Sequence, residues 1–437
     1  MLIEFVVSNY RSIRDEQRLT LVAGSDKNLR ESNVFEMSSG KKKPLRLLRS
    51  AVVYGANASG KSNLIKAMAT MRGIVLGKDK ELLRGMGERP PIEPFLFDLK
   101  ARTQPTLFEI MVMVNDVRYQ YGFTATAKRI YDEWLFAFPK GRGQRWFERE
   151  FFPEEGREEF TFGNNLTGDR EVWRRATRHD ALFLSTAVQL NSKQLQPLFN
   201  WFRNELQIIG LDGWDSSQSV EWCQDENKQR ILTFLQAADF AISDLQVVNP
   251  DYAFDALIRN NLGRFSFRYF LPRKKIETEK DFSEHSRILL TIHRDNDGKV
   301  FELDMGHESD GTQKMFHLAA PWLDALDQGR VLFVDELHDN LHPWLVQFLV
   351  RFFHSGETNP LGAQLIFTTH ETAILSDEYL RRDQIWFCER NRDQSSRLYS
   401  LGDFRSSKGV ENFTQDYLVG CYGAVPFVDE PPKVPGS

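Results

Sequence analysis

Eight consecutive residues, Gly55-Ala56-Asn57-Ala58-Ser59-Gly60-Lys61-Ser62, have the types and spacing of a loop that grips a polyphosphate. Glycines at its two ends let the backbone curl until successive N–H groups point inward at phosphate oxygens. A helix beginning at Lys61 adds its unpaired donors and the positive end of its dipole. Lys61 brings a full positive charge to the β- and γ-phosphates, Ser62 a hydroxyl for Mg²⁺, and Asn63 extends the loop into the helix. The run Ala51-Val52-Val53-Tyr54 before the loop predicts a buried strand, and Ser62 to about Leu76 predicts a helix. That context separates the motif from a chance glycine turn.

Two further clusters fit the same chemistry. Val331-Leu332-Phe333-Val334 is an apolar strand that ends in Asp335-Glu336. Carboxylates at the C-terminal end of such a strand lie where open α/β sheets bind ligands. Asp335 is suited to holding Mg²⁺ and Glu336 to taking a proton from an attacking water; standing alone, the pair would read equally well as a solvated acidic turn. Leu365-Ile366-Phe367-Thr368-Thr369-His370 is a second such strand. The spacing, 370 − 335 = 35 residues, leaves room for one crossover helix between parallel neighbours. His370 then comes to the same sheet edge as Glu336, within reach of a γ-phosphate and its attacking water.

These motifs need an α/β scaffold, and the rest of the chain supplies the pieces. The first segment, with Leu2, Phe5 and Val7 alternating ahead of Asn9-Tyr10-Arg11, reads as a strand, and a second strand candidate, Gln17 to Ala23, follows it. Thr106–Val114 and Val117–Phe123, joined by Asn115-Asp116, predict a tight β-hairpin. Short strands are expected at 133–138 and 145–149. From 171 to 242 the periodicity is helical, with helices over 193–206 and 228–242, although Leu182 to Gln189 reads as a strand-like run. Strands return at 244–249, 264–270 and 287–294. The end reads strand, helix (344–353), strand, a short helix near Ala373, and a strand at 384–388. The tail 431–437 is expected to be disordered. The expected fold is an α/β P-loop NTPase head with an antiparallel β subdomain and an inserted, mainly helical subdomain. Its halves span 1–165 and 286–437, with the insertion at 166–285.

Composition narrows the classes. Lys and Arg number 56 against 61 Asp and Glu, a net charge of −5, which excludes a globally basic nucleic-acid coat. The clusters Lys41-Lys42-Lys43 and Arg273-Lys274-Lys275 read as solvated loops, so nucleic acid is not indicated. No stretch approaches the ~18 consecutive apolar residues that span a bilayer, and the N-terminus lacks a secretory pattern. Three widely spaced cysteines, Cys223, Cys388 and Cys421, form no disulfide framework. The expected compartment is the cytoplasm, with no membrane partner. His293-Arg294-Asp295 reads as a turn rather than a kinase triplet, and Glu336, His338 and His342 lack the order of a zinc helix. No guanine-reading motif accompanies the phosphate loop, which favours ATP.

The order of phosphate loop, long insertion, acidic strand and strand-histidine resembles the ABC/SMC/RecF-type ATPase head. Phe5-Val6-Val7-Ser8-Asn9-Tyr10-Arg11-Ser12-Ile13 is similar to that group's first strand. The loop form Gly-Ala-Asn-Ala-Ser-Gly-Lys-Ser-Asn resembles the bacterial defence-associated AAA branch, which includes RloA-like, OLD-type and AriA-like ATPases. The resemblance covers about 1–125 and 300–405. It implies a signature motif at Glu308-Ser309-Asp310-Gly311-Thr312-Gln313, in which Ser309 and Gly311 meet the γ-phosphate of a partner subunit's ATP. The motif departs from the transporter form, which has two glycines and a preceding leucine. Ser309 also suits a plain helix cap. The resemblance further implies a Mg²⁺-sensing glutamine at Gln189, a dimer-contacting loop at 339–342, and a homodimer or higher oligomer built around ATP and Mg²⁺. Arg11 reads equally as a phosphate ligand or a surface residue. Only 437 − 370 = 67 residues follow His370, too few for a TOPRIM nuclease domain, so a separately encoded nuclease- or TOPRIM-like effector is expected. A RecF- or SMC-like repair ATPase and a non-hydrolysing scaffold are the alternatives.

Overall fold

The computed structural model describes residues 1–38, 44–77, 92–139, 141–211, 213–249, 269–270, 287–405 and 412–426. Both basic clusters, most of the expected strand at 264–270 and the tail at 431–437 lie outside these residues.

Two sheets carry the molecule. The first has six strands in the order Leu206–Ile209, Val331–Val334, Gln364–Thr368, Ser50–Tyr54, Ile385–Arg390 and Ser396–Ser400. The first five are parallel and the last pairs antiparallel. Apolar runs form these strands because both faces are covered. Ala51, Val53, Val331, Phe333 and Ile366 pack into one core, and Val52, Tyr54, Leu332, Val334, Leu365 and Phe367 into the other. The period of two sends neighbours to opposite faces.

The second sheet has seven antiparallel strands: Arg157–Phe162, Gln144–Phe152, Ile130–Phe138, Val117–Ala125, Thr106–Val114, Leu2–Ser8 and Gln17–Thr20, in that order. Asn115 (φ 49°) and Asp116 (φ 60°) make the hairpin turn left-handed at both central positions, which matches the strand twist. The helix Lys61–Leu76 shares the first core with this sheet. It is buried nearly all round, so its sequence carries little amphipathic bias. The other face of the six-stranded sheet is covered by the helices Asp310–Gln328 and Pro343–His354. Gln364 joins the two sheets. Its amide accepts from Leu2 N (2.7 Å) and donates to the carbonyls of Leu2 (3.0 Å) and Leu48 (3.1 Å).

Several expectations are corrected. The run ending at Gln189 is a helix, Phe183–Gln189, not a strand. A short apolar run cannot declare its period, and what starts this helix is remote in sequence. The buried Glu133 carboxylate accepts from Phe183 N (2.6 Å) and Leu184 N (3.0 Å), a cap supplied by another strand. The helix expected over 193–206 breaks into Gln196–Asn200 and the π-helical turn Trp201–Glu205. The chain then enters the strand Leu206–Ile209, so part of the stretch read as an insertion stands in the main sheet. Around Ala373 there are turns and no helix. The strand Ser396–Ser400 and the helix Phe413–Leu418 were not expected. No helix among the described residues is long and apolar enough to cross a membrane.

Candidate functional site

The parallel strands deliver their C-terminal ends to one edge. There the phosphate loop, Asp335-Glu336 and Thr368-Thr369-His370 meet, because the strand preceding His370 lies between the strands preceding the other two. The loop demands its glycines. Gly55 (φ 155°) and Gly60 (φ 107°) have backbones that side chains rarely adopt, and Ala58 is left-handed at φ 60°. A Cβ on Gly55 would run into the Cys388 carbonyl, and one on Gly60 into the Ser396 and Ser12 hydroxyls.

A hydrogen-bonded frame holds the loop from below. Ser396 Oγ donates to the Ser59 carbonyl (2.6 Å) and lies in hydrogen-bond contact with the Ser12 hydroxyl (2.8 Å), Asn63 Nδ2 donates to Ser12 Oγ (2.7 Å), and the Cys388 thiol donates to the Ser59 carbonyl (3.3 Å). Burial pushes the Cys388 thiol up to about 11, so it stays protonated. Ser12 could have been noticed in the sequence, directly after the first strand. Ser396 and Cys388 have no local signal.

Lys61 is buried, and its ammonium donates to the carbonyls of Gly55 (2.9 Å) and Ala56 (3.1 Å) and to His370 Nε2 (3.1 Å). All three partners are neutral when the imidazole is. Burial lowers the lysine pKa, with Cys388, Glu336 and Asp335 opposing. His370 is lowered as well, first by burial and then by Lys61 and His338, so its neutral form is favoured and Nε2 can accept. The His370 backbone N–H donates to His338 Nδ1 (3.4 Å), and the two rings meet edge to face at 5.4 Å. His342 accepts from Trp344 N (3.2 Å) and caps the helix Pro343–His354.

The carboxylate pair is fixed by one hydroxyl. Thr368 Oγ1 donates to Asp335 Oδ1 (2.7 Å) and accepts from Glu336 N (2.8 Å). Asp335 is buried, whereas Glu336 is exposed and its carboxylate makes no hydrogen bond to the described protein. Glu336 has φ 50°, a left-handed backbone that costs a non-glycine residue about 1–2 kcal/mol. Nothing in the sequence announces that conformation.

Ser309 and Gly311 stand apart from this edge's polar contacts. Ser309 is exposed and caps the helix Asp310–Gln328, accepting from Thr312 N (3.2 Å). Gly311 abuts the loop at 339–342: a Cβ there would lie 2.9 Å from the Asn340 carbonyl. Among the described residues no hydrogen bond joins Ser309 or Gly311 to the phosphate loop of the same chain. Arg11 turns to Glu93 (3.3 Å). Gln189 is exposed at the end of its helix, whose Ser185 Oγ donates to the Val75 carbonyl (2.6 Å). Val75 lies about 20 Å up the phosphate-loop helix from Lys61 at 1.5 Å per residue. Gln189 makes no hydrogen bond to the phosphate loop, Asp335 or Glu336, so the structure does not join it to their site.

The donors fit a magnesium-bound triphosphate. A curled loop ends in a helix N-terminus, and the Ser59 hydroxyl is buried there without a partner. Among the described residues a lysine hydrogen-bonds only to neutral groups, and a serine and an aspartate supply hard oxygens. Among the described residues no three His, Cys, Asp or Glu side chains gather as a metal site of their own.

Residues 50–376 match the protein family described as "AAA domain, putative AbiEii toxin, Type IV TA system". No curated protein matches the chain. Among solved structures, the SMC head domain from Thermotoga maritima aligns at 10% identity over 91% of this chain and 98% of that one, with a TM-score of 0.38. The SmcHead bound to the C-winged helix domain of ScpA aligns at 13% identity over 91% and 97%, with a TM-score of 0.36.

Proposed function

The chain belongs to the AAA-domain family described by the putative AbiEii toxin, and on that premise we propose that it is an ABC-type ATPase head that binds and hydrolyses ATP with Mg²⁺. The observation that supports this most is the meeting of Lys61, Asp335, Glu336 and His370 at one sheet edge around the phosphate loop. Backbone N–H groups of residues 55–62 cradle the phosphates, and Lys61 neutralises the charge that builds between the β- and γ-groups. Ser62 and Asp335 would hold the metal, which would polarise the phosphate oxygens. The Glu336 carboxylate, exposed and without a hydrogen bond among the described residues, takes the proton of the attacking water. His370 is kept neutral and oriented by Lys61 and His338, and it steers the γ-phosphate side of the site.

The signature at Ser309 and Gly311 completes the site of a second copy of the chain. Its exposure at a helix N-terminus and its lack of polar contact with its own phosphate loop support a role in trans. ATP then joins two subunits and hydrolysis frees them, because bonds to a γ-phosphate exist only before cleavage. The cycle regulates a separately encoded effector in bacterial anti-phage defence. The loop sequence and the family's toxin–antitoxin description support that placement.

The test is ATP turnover by wild-type and Glu336→Gln protein at high concentration. The amide keeps the shape but cannot accept the proton. Turnover should fall by ~10²–10⁴-fold while ATP binding survives and a closed dimer accumulates. Normal turnover in this variant would make Glu336 a structural carboxylate.

A further inference from the structure

Lys314 is a lysine in an unexpected place. It lies on the helix Asp310–Gln328, on the face shared with Leu318 and Trp322, and its side chain is buried. Among the described residues its ammonium makes no ion pair. It donates to the carbonyls of Asp339 (2.6 Å) and Glu336 (3.0 Å) and stacks 4.3 Å from the centre of the Trp214 ring. Burial lowers its pKa to about 8, with Asp339 and Glu336 opposing.

The two carbonyls belong to the turn that carries Glu336, closed by Asp339 N donating to the Glu336 carbonyl (3.1 Å). On the other side of Glu336, its N–H is held by Thr368 Oγ1, while in the peptide unit that carries the Glu336 carbonyl Leu337 N donates to the Thr368 carbonyl (3.1 Å). Both peptide planes flanking the left-handed residue are therefore pinned, the preceding one by Thr368 Oγ1 and the following one by the Thr368 carbonyl, Asp339 N and Lys314 together. A rare backbone conformation persists where its surroundings over-determine it. The helix that brings Lys314 begins at the Ser309 cap, so one side chain connects the signature to the turn.

We propose that Lys314 is a positioning residue for Glu336, fixing the turn that aims its carboxylate and tying that turn to the helix that starts at Ser309. This rests on Glu336 being the general base. Movement of the helix start is passed to the base through the ammonium and not through a shared ligand.

Lys314→Met keeps the stem's volume and removes the donor. Its kcat should fall by about 10- to 100-fold, the scale expected when a catalytic group is misaimed, while ATP affinity stays within about twofold of wild type. Lys314→Arg, which can still reach two carbonyls, should recover most of the loss. In a Glu336→Gln background, Lys314→Met should remove no further turnover, because the group it aims is already gone. If Lys314→Met does not fold, judged by thermal unfolding, Lys314→Gln carries the same comparisons. Wild-type kcat in the neutral variant, a parallel loss of ATP affinity, or a full additional loss on top of Glu336→Gln would each overturn the proposal. Should Glu336→Gln alone turn over ATP normally, the general-base reading fails. If Glu336→Gln is inactive and the Lys314 variant is not, only the positioning role fails.

Discussion

Lys61 concentrates the residue-scale argument. A buried ammonium whose acceptors are two carbonyls and an imidazole has given up water for weak partners, and burial pulls its pKa down accordingly. A polyphosphate arriving in the loop supplies the counter-charge the protein withholds. Removing such a charge-assisted contact costs ~2–5 kcal/mol. Lys61→Ala should therefore weaken ATP binding by roughly 30- to 5,000-fold, read by calorimetry at fixed Mg²⁺. An affinity near that of wild type would remove the phosphate loop from the account. Thr368 illustrates the opposite kind of residue. It touches no ligand in the proposed mechanism, yet its single hydroxyl sets both carboxylate-bearing positions.

At the scale of elements, the six-stranded sheet is held at its far end by polar contacts that have nothing to do with phosphate. Ser50, which opens the phosphate-loop strand, has its hydroxyl 2.8 Å from His354 Nε2 at the end of the helix Pro343–His354, and it accepts from Gln384 Nε2 (2.8 Å). Burial, with Arg49 adding to it, holds the His354 pKa down to about 3. The unfolded chain protonates this histidine near pH 6.5, whereas the folded chain resists until about pH 3. Between those values the unfolded state binds the extra proton. Stability from this contact is thus complete above pH 6.5 and is lost as the pH falls. At pH 5 the loss should be about 2 kcal/mol. Urea midpoints at pH 7.5 and pH 5.0 test it: wild type should lose more between the two than His354→Gln. Equal losses would show that His354 titrates freely.

For the whole molecule, the question is whether one chain holds a complete site. Ser309 is both the cap of its own helix and, in the proposed dimer, a ligand for the partner's nucleotide. Ser309→Asp separates these roles, because aspartate caps as well as serine but sets a negative charge against a phosphate. Ser309→Asp and Lys61→Ala subunits should each be inactive. Mixed, they should recover activity, since a heterodimer pairs an intact phosphate loop with an intact signature in one of its two sites. With random pairing, half the dimers carry one good site, so the ceiling is roughly a quarter of wild-type turnover. Full activity and ATP-dependent dimerisation in Ser309→Asp alone would disprove the signature assignment.

The local motifs were legible because their chemistry is local. Gly55 to Ser62 needs its residue types at fixed spacing, and the apolar strands ending at Asp335 and Thr368 declare themselves by composition and by the turn residues around them. The spacing between them correctly implied parallel neighbours. Other features depend on partners far away in the chain. Glu133 caps a helix fifty residues later, so Phe183–Gln189 looked like a strand. Leu206–Ile209 is a strand because an edge beside Val331–Val334 awaits it, and four residues carry too little periodicity to say so. Lys314 in sequence is the one cation among the four charges of its helix, and only the fold brings it to the Glu336 carbonyl. Sequence alone determined which groups this protein can offer a phosphate. Tertiary structure decided which backbone angles and neighbours hold them there, because contacts between residues distant along the chain leave no spacing to read.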